Sequence, residues 1–229
     1  NVMNNNKDLV NDLFEELKSH VQETYDSQPF PHGFKGWESD YYYFVRTIEG
    51  KSYPIHCRIN MSTKDEETLL DENELAQGKE TFDLSGFEIT DDHKFMSYGV
   101  DETGNEKYTL KIIDIETKKE LDHTIPELTY CNYFWHDNNK FIFYSLGDST
   151  NRIYQVWKYE FATKTHTKLY ENDNELVNVG ITTSDDEKYF FISADSFDTG
   201  DVYYFTMEDQ TLKQFTPKIE GVLYNVDYH

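Results

Sequence analysis

Leu69 to Asp114 reads LLDENELAQGKETFDLSGFEITDDHKFMSYGVDETGNEKYTLKIID, and its second half alternates strand-forming runs with polar turns. Ser85 to Thr90 predicts a short strand, Asp91-Asp92-His93-Lys94 a turn, and Phe95 to Val100 a second strand. Asp101 to Glu106 follows as a loop containing Gly104, and Tyr108 to Ile115 as a third strand. A unit of this kind has two pleated faces and cannot bury both by itself.

The pattern returns twice. His136-Asp137-Asn138-Asn139-Lys140 precedes Phe141-Ile142-Phe143-Tyr144, and Ser184-Asp185-Asp186-Glu187-Lys188 precedes Tyr189-Phe190-Phe191-Ile192. Lys94, Lys140 and Lys188 are 46 and then 48 residues apart, and the third strands open in step at Tyr108, Tyr154 and Val202. Each copy passes through a Thr-containing turn, at Glu116-Thr117-Lys118, Ala162-Thr163-Lys164 and Glu208-Asp209-Gln210-Thr211, into a last strand. A four-stranded unit at this period predicts a β-propeller, whose blades bury their faces on one another. A sandwich or barrel gives no reason for a constant period.

Upstream, Lys7 to Val21 spaces Leu9, Leu13, Leu17 and Val21 at helical intervals, which predicts an amphipathic helix. Gln22 to Gly36, with Pro29, Pro31 and Gly33, reads as a linker. Tyr41 to Thr47 and Ser52 to Ile59 flank Ile48-Glu49-Gly50-Lys51 as a hairpin, and Leu69-Leu70-Asp71 closes a first blade. The expected organisation is a helical lead-in over 1–35 and a partial propeller over 36–229. Its blades fall near 36–83, 84–127, 128–175 and 176–218, and Val222 to Val226 reads as the first strand of another blade at 219–229. The fold class expected is all-β: an incomplete propeller of about four blades with a short N-terminal helix. An arc with an open edge and an open blade face predicts self-association.

Charge narrows the partners. Lys and Arg number 21 against 44 Asp and Glu, a net charge of −23, which excludes a nucleic-acid binder and an acidic membrane surface. Only 37% of residues are hydrophobic but 16% are aromatic, a balance that suits half-buried strands. The acid either solubilises many exposed turns or attracts basic peptides. Cys57 and Cys131 make no CxxC pattern and read as small buried residues in a reducing compartment. With no long apolar run and no signal-peptide pattern, the expectation is a soluble cytoplasmic protein.

Several stretches resemble the prolyl oligopeptidase family of serine peptidases, in particular its oligopeptidase B branch. Leu69-Leu70-Asp71-Glu72-Asn73-Glu74-Leu75-Ala76-Gln77-Gly78 is similar to that branch's LLDxNxLAxG segment, and Tyr53-Pro54-Ile55-His56-Cys57-Arg58 to its YPxYxR strand. Leu13 to Lys18 resembles the helical lead-in, Asp101 to Leu110 the DxxGxExYxL segment, and Gly221 to His229 a later GVxYxVxxH segment. Phe134-Trp135-His136-Asp137 sits where the family has a Trp and an Asp before a strand ending in Tyr, here Tyr144. The resemblance implies a seven-bladed propeller capping an α/β-hydrolase domain, with both ends of this chain interior to a longer protein. It also implies cleavage of short peptides after Lys or Arg, with the catalytic Ser, Asp and His beyond His229.

No Gly-x-Ser-x-Gly nucleophile turn occurs; Ser85-Gly86 and Ser196 to Gly200 come nearest and fall in strand or loop positions. No catalytic, cofactor-binding or metal-binding residue is therefore expected. The eight histidines form no HExxH or helical pair, and His93 and His136 sit in blade turns. Glu171 to Glu175 lacks the Gly and terminal Glu of a calcium loop, and Tyr41-Tyr42-Tyr43-Phe44 reads as sheet packing. Asp101, Glu106 and Arg152 lie in connecting loops, where they either pair at the surface or meet the hydrolase domain.

Two functions compete. One is the substrate-gating propeller of a serine oligopeptidase, inactive by itself, whose partners are the hydrolase domain and short basic peptides. The other is a stand-alone propeller that presents loops to a protein partner, although WD40 signatures are lacking. A degenerate relative that has lost its hydrolase half is a third reading, against which the unpaired last strand speaks.

Overall fold

The computed structural model describes residues 6–20, 33–35, 39–137, 139–226 and 228. The amino-terminal residues 1–5 and most of the expected linker lie outside the described residues. The chain divides into two compact units, one drawing on residues 1–35 and 40–73 and the other on 36–39 and 74–229.

In the first unit, α1 (Lys7–His20) carries the expected amphipathic pattern. None of its residues is buried, and Leu9, Leu13, Phe14 and Leu17 are exposed. Strands β1 (Gly33–Lys35), β2 (Tyr41–Arg46), β3 (Ile55–Asn60) and β4 (Glu66–Asp71) form an antiparallel sheet in chain order. β1 corrects part of the linker reading: three residues are too few to show a period, and Tyr42 to Phe44 supply their ladder. Phe44, Ile55, Cys57 and Ile59 make the core of this sheet. The one-turn α2 (Glu72–Leu75) is pinned by Asn73, which accepts from the Tyr53 N–H at 3.1 Å and donates to its carbonyl at 2.8 Å.

The second unit contains the three repeats. They run as β5 (Asp83–Ile89), β6 (Phe95–Asp101), β7 (Lys107–Asp114) and β8 (Lys119–Glu120), then β9 (Ile125–His136), β10 (Phe141–Gly147), β11 (Ile153–Glu160) and β12 (Thr165–Glu171). The last comprises β13 (Asn178–Thr183), β14 (Tyr189–Asp195), β15 (Gly200–Thr206) and β16 (Lys213–Gln214). With the first sheet, the architecture is four antiparallel four-stranded units, an incomplete propeller.

The lysine spacing has a local cause. Asp92 and Asp186 occupy the same place, accepting from the hydroxyls of Thr90 and Ser184 and from the N–H of Lys94 and Lys188. Those hydroxyl oxygens in turn accept from the first N–H of the next strand, Phe95 and Tyr189. Each of these two turns is therefore closed by its own side chains.

One strand serves two blades. The first half of β9 pairs with β7 through Thr129, Leu128 and Ile125, and its second half pairs with β10 through Tyr133 to His136. Between them Tyr130 and Cys131 take left-handed φ values of 55° and 51°. β9 thus runs through the blade boundary expected between residues 127 and 128 and joins eight strands into one sheet. Gly86 and Gly99 make room for the crossing, since a Cβ on either would collide with the Cys131 sulfur.

Blade faces stack through apolar side chains. Tyr108, Leu110 and Ile112 meet Tyr133, Ile142, Tyr144 and Tyr159 at one seam. Phe143 and Val156 meet Val179, Ile181, Phe190, Ile192 and Phe205 at the next. Phe143 and Phe190 are fully buried with ring centroids 4.6 Å apart, and burying one such ring contributes about 2 kcal/mol. The expected strand at Val222 to Val226 does not form. A strand needs a ladder, and among the described residues the tail receives one backbone rung, from the Gly200 N–H to the Val222 carbonyl.

Candidate functional site

Antiparallel order sorts the connections of the second unit onto two ends. One end carries the turns between first and second and between third and fourth strands of each blade. The other carries the β6–β7, β10–β11 and β14–β15 loops and the passages from blade to blade. The two ends differ in chemistry.

At the first end, lysines pair with nearby aspartates: Lys94 with Asp92 at 3.0 Å, Lys140 with Asp137 at 2.9 Å, Lys188 with Asp186 at 2.9 Å and Lys213 with Asp209 at 2.7 Å. Burial works against the Asp92 carboxylate, but hydrogen bonds from Asn139, Lys94 and Thr90 hold its pKa down to about 2. His136 reaches Glu187 of the next blade at 3.1 Å, so it tightens a seam.

At the second end, loops are locked from within. Asp101 is 2% exposed and accepts from the N–H groups of Thr103, Gly104 and Glu106. This corrects its reading as a surface acid: it is the cap of its own loop, and those bonds overcome burial to lower its pKa. Glu106 supplies the carbonyl that receives the Tyr130 N–H at 2.9 Å, beside the β9 crossing. Arg152 pairs with Asp148 and donates through Nη1 to the carbonyls of Asn172, Asn174 and Val177. It therefore holds the passage between the third and fourth blades. Asn151 Nδ2 reaches back to the Asn105 carbonyl at 3.0 Å.

These fixed loops frame two cavities. One of about 410 Å³ opens beside Tyr130, Asn151, Arg152 and Glu175. Another of about 360 Å³ lies beside Tyr170, Leu176, Thr199 and Tyr203. Around them stand exposed apolar side chains: Tyr130, at the β9 crossing, is 51% exposed, and Leu176 and Phe197, on loops, are 77% and 99% exposed. Asp173, Glu175 and Asp198 are exposed between them. The sequence signal for Leu176 and Phe197 was a large apolar residue inside a turn-forming run, NDNEL and DSFDTG, where no core face calls for it.

The seam between the second and third blades also carries polar groups. Trp135 Nε1 donates to Ser97 Oγ at 2.7 Å, Ser97 meets the Tyr133 hydroxyl at 2.9 Å, and that hydroxyl donates to the Gly86 carbonyl. Burial pushes the neighbouring Glu88 carboxyl up to about 7, opposed by the backbone N–H of Trp135, and the Cys131 thiol up to about 12. Such a thiol is a packing group rather than a nucleophile. Ser85 and Gly86 lie in β5, and the Ser196 hydroxyl oxygen accepts from the Thr199 N–H inside its loop. Neither serine has a histidine placed as its base among the hydrogen bonds of the described residues. Tyr43 and Phe44 of the aromatic run are buried in the first sheet, and Cys57 and Cys131 are free and buried. Among the described residues no group of three His, Cys, Asp or Glu is placed to hold a metal, and no helix is long and apolar enough to cross a membrane.

A family model described as the prolyl oligopeptidase N-terminal β-propeller domain matches residues 1–229. The chain belongs to that family. Among curated relatives of this prolyl oligopeptidase propeller, Protease 2 of Moraxella lacunata is 23% identical over 94% of the chain, and the chain covers 32% of that protein. Oligopeptidase B from Trypanosoma brucei, solved with covalently bound antipain in a closed form, is 27% identical with a TM-score of 0.80. It is matched over 99% of this chain and 32% of its own. Oligopeptidase B from Leishmania major, at 24% identity and a TM-score of 0.82, shares the fold over 99% of the chain and 33% of its own. The chain thus spans about a third of the length of these relatives.

Proposed function

We propose that the chain is the substrate-gating propeller part of a cytoplasmic serine oligopeptidase that cuts short peptides after Lys or Arg, and that it does not hydrolyse peptides by itself. The observation that supports this most is the match of a peptidase propeller to all of residues 1–229, in a sequence without a Gly-x-Ser-x-Gly turn. The relatives are peptidases about three times as long, so an α/β-hydrolase portion outside these residues would supply nucleophile, base and oxyanion donors. Rigid blades would then act by exclusion, admitting a flexible peptide and refusing a folded protein. The net charge of −23 agrees with basic substrates, and the two free thiols agree with a reducing compartment. Open sheet edges of the chain alone would favour self-association.

The test is a hydrolysis assay of the whole gene product containing these residues. The expected result is cleavage of short Arg and Lys peptide amides, no cleavage after Pro, and no cleavage of a folded protein carrying the same bond. Preference for Pro would overturn the specificity, and cleavage of the folded protein would overturn the gating.

A further inference from the structure

We infer that the cavity of about 360 Å³ between the third and fourth blades binds a guanidinium group, as borne by an arginine of a peptide. The choice of a peptide rests on the function proposed above, whereas the cation pocket does not.

The cavity has an aromatic side and a carboxylate side. Tyr170 of β12 and Tyr203 of β15 line it with ring centroids 5.1 Å apart, both half-buried against the apolar seam of the two blades. Asp201 lines it from β15 and Asp198 from the β14–β15 loop, and Glu220 stands exposed at the rim. Three carboxylates thus share the lining with one lysine, Lys218. A volume of this size falls within the range of small-ligand pockets, roughly 300–1,000 Å³.

Asp201 decides the sign of the ligand. It is 9% exposed, and its two oxygens accept from neutral groups, the Tyr203 hydroxyl at 2.8 Å and the Gln214 side-chain amide at 2.9 Å. Among the described residues no Lys, Arg or His pairs with it: Lys213 turns to Asp209 at 2.7 Å, and Lys218 to Glu220 at 3.5 Å. A buried carboxylate is ordinarily matched by a cation, and the cavity gives one access to Asp201. Asp198 receives the Thr199 hydroxyl at 3.0 Å and adds an exposed carboxylate on the approach.

The walls select the kind of cation. Among the described residues no group of three His, Cys, Asp or Glu is placed to hold a metal, which leaves an organic cation. A guanidinium lays its flat face on tyrosine and offers its edge to a carboxylate. Each Asp201 oxygen spends one acceptor site on a neutral donor and keeps another for that edge. Burial and the hydrogen bond to Asp201 raise the Tyr203 hydroxyl's pKa, so the aromatic wall stays uncharged.

The test uses the whole gene product and an agmatine acylated with a diazirine, which carries the guanidinium but no bond cleavable after arginine. Photo-adducts are located by mass spectrometry. The expected adduct falls within residues 170–220, is suppressed by excess acetyl-arginine amide, and is untouched by acetyl-citrulline amide, which has the same shape without the charge. Below half-saturation, Asp201→Asn is expected to lower its yield by ~10-fold or more, the effect of removing a buried charge partner. Asp198→Asn, at an exposed loop position that does not endanger folding, is expected to lower it by ~3-fold. No adduct in that segment, equal suppression by the citrulline amide, or a yield unchanged by the substitutions would overturn the pocket. Peptidase activity of the same preparation separates the two readings: an active enzyme without the adduct refutes the pocket alone, and an inactive protein that carries it refutes the proposed function alone.

Discussion

Arg152 Nε donates to Asp148 Oδ2 at 2.9 Å, and this pair aims the rest of the guanidinium at the backbone of the passage to the next blade. One nitrogen, Nη1, then serves the carbonyls of Asn172, Asn174 and Val177. Arg152→Ala is expected to destabilise the protein by about 2–3 kcal/mol, the cost of leaving charge-assisted acceptors unmet. Arg152→Lys recovers little of this, because an ammonium cannot reproduce the planar fork. Urea unfolding measures both. A loss below ~0.5 kcal/mol for the alanine variant would show the hub to be ornamental.

Gly99→Ala is expected to cost about 1–3 kcal/mol, because the added methyl meets the Cys131 sulfur at the β9 crossing. Gly50→Ala, at a left-handed φ of 78° with open space around it, isolates the purely conformational cost of about 1 kcal/mol. The double variant Gly99→Ala with Cys131→Ala should recover part of the first loss. Strict additivity of the two single changes would place the strain elsewhere.

Glu88 sets a pH dependence of definite sign. Its carboxyl is pushed from the ordinary 4.5 up to about 7 by burial, with the Trp135 backbone N–H opposing and Cys131 and Tyr133 beside it. The folded state holds this proton more tightly than the unfolded chain. Its stabilising contribution is therefore complete below about pH 4.5 and is lost as pH rises through about 7. Relative to the parent, Glu88→Gln should gain about 3 kcal/mol between those limits, the equivalent of that difference in proton affinity. Parallel stability curves for the two proteins would refute the buried acid.

His123 and His166 titrate in the opposite sense. Burial depresses both, His123 further through the nearby Lys164, while Tyr159 and Tyr144 hold their Nδ1 atoms at 2.7 and 2.8 Å. With folded values below the unfolded ones, their contribution is present above the ordinary 6.5 and is lost as pH falls below it. Imidazole NMR titration should place both midpoints under 6.5, and a midpoint above it for either ring would contradict the packing.

The strands of the repeats were legible because their turns are chemically local. Thr90-Asp91-Asp92 and Ser184-Asp185-Asp186 hydrogen-bond within themselves, so the turn residues predict the turn. The dual role of β9 was not legible, since it depends on left-handed backbone at Tyr130 and Cys131, residue types that seldom adopt it. Asp101 was misread as a surface acid because spacing reveals a loop but not the inward turn of its cap. Val222 to Val226 has strand composition without a ladder, and composition alone cannot supply one. Of the site, the loop positions of Glu106 and Arg152 were readable, whereas Leu176 and Phe197 gained meaning once antiparallel order put their tips on one end.

Labelling the whole gene product with a serine-reactive fluorophosphonate and locating the adduct by mass spectrometry tests the central claim most directly. A non-catalytic propeller predicts a single adduct on a serine outside residues 1–229. An adduct on Ser85, Ser196 or any other serine within these residues, or a protein that takes no adduct at all, would contradict it.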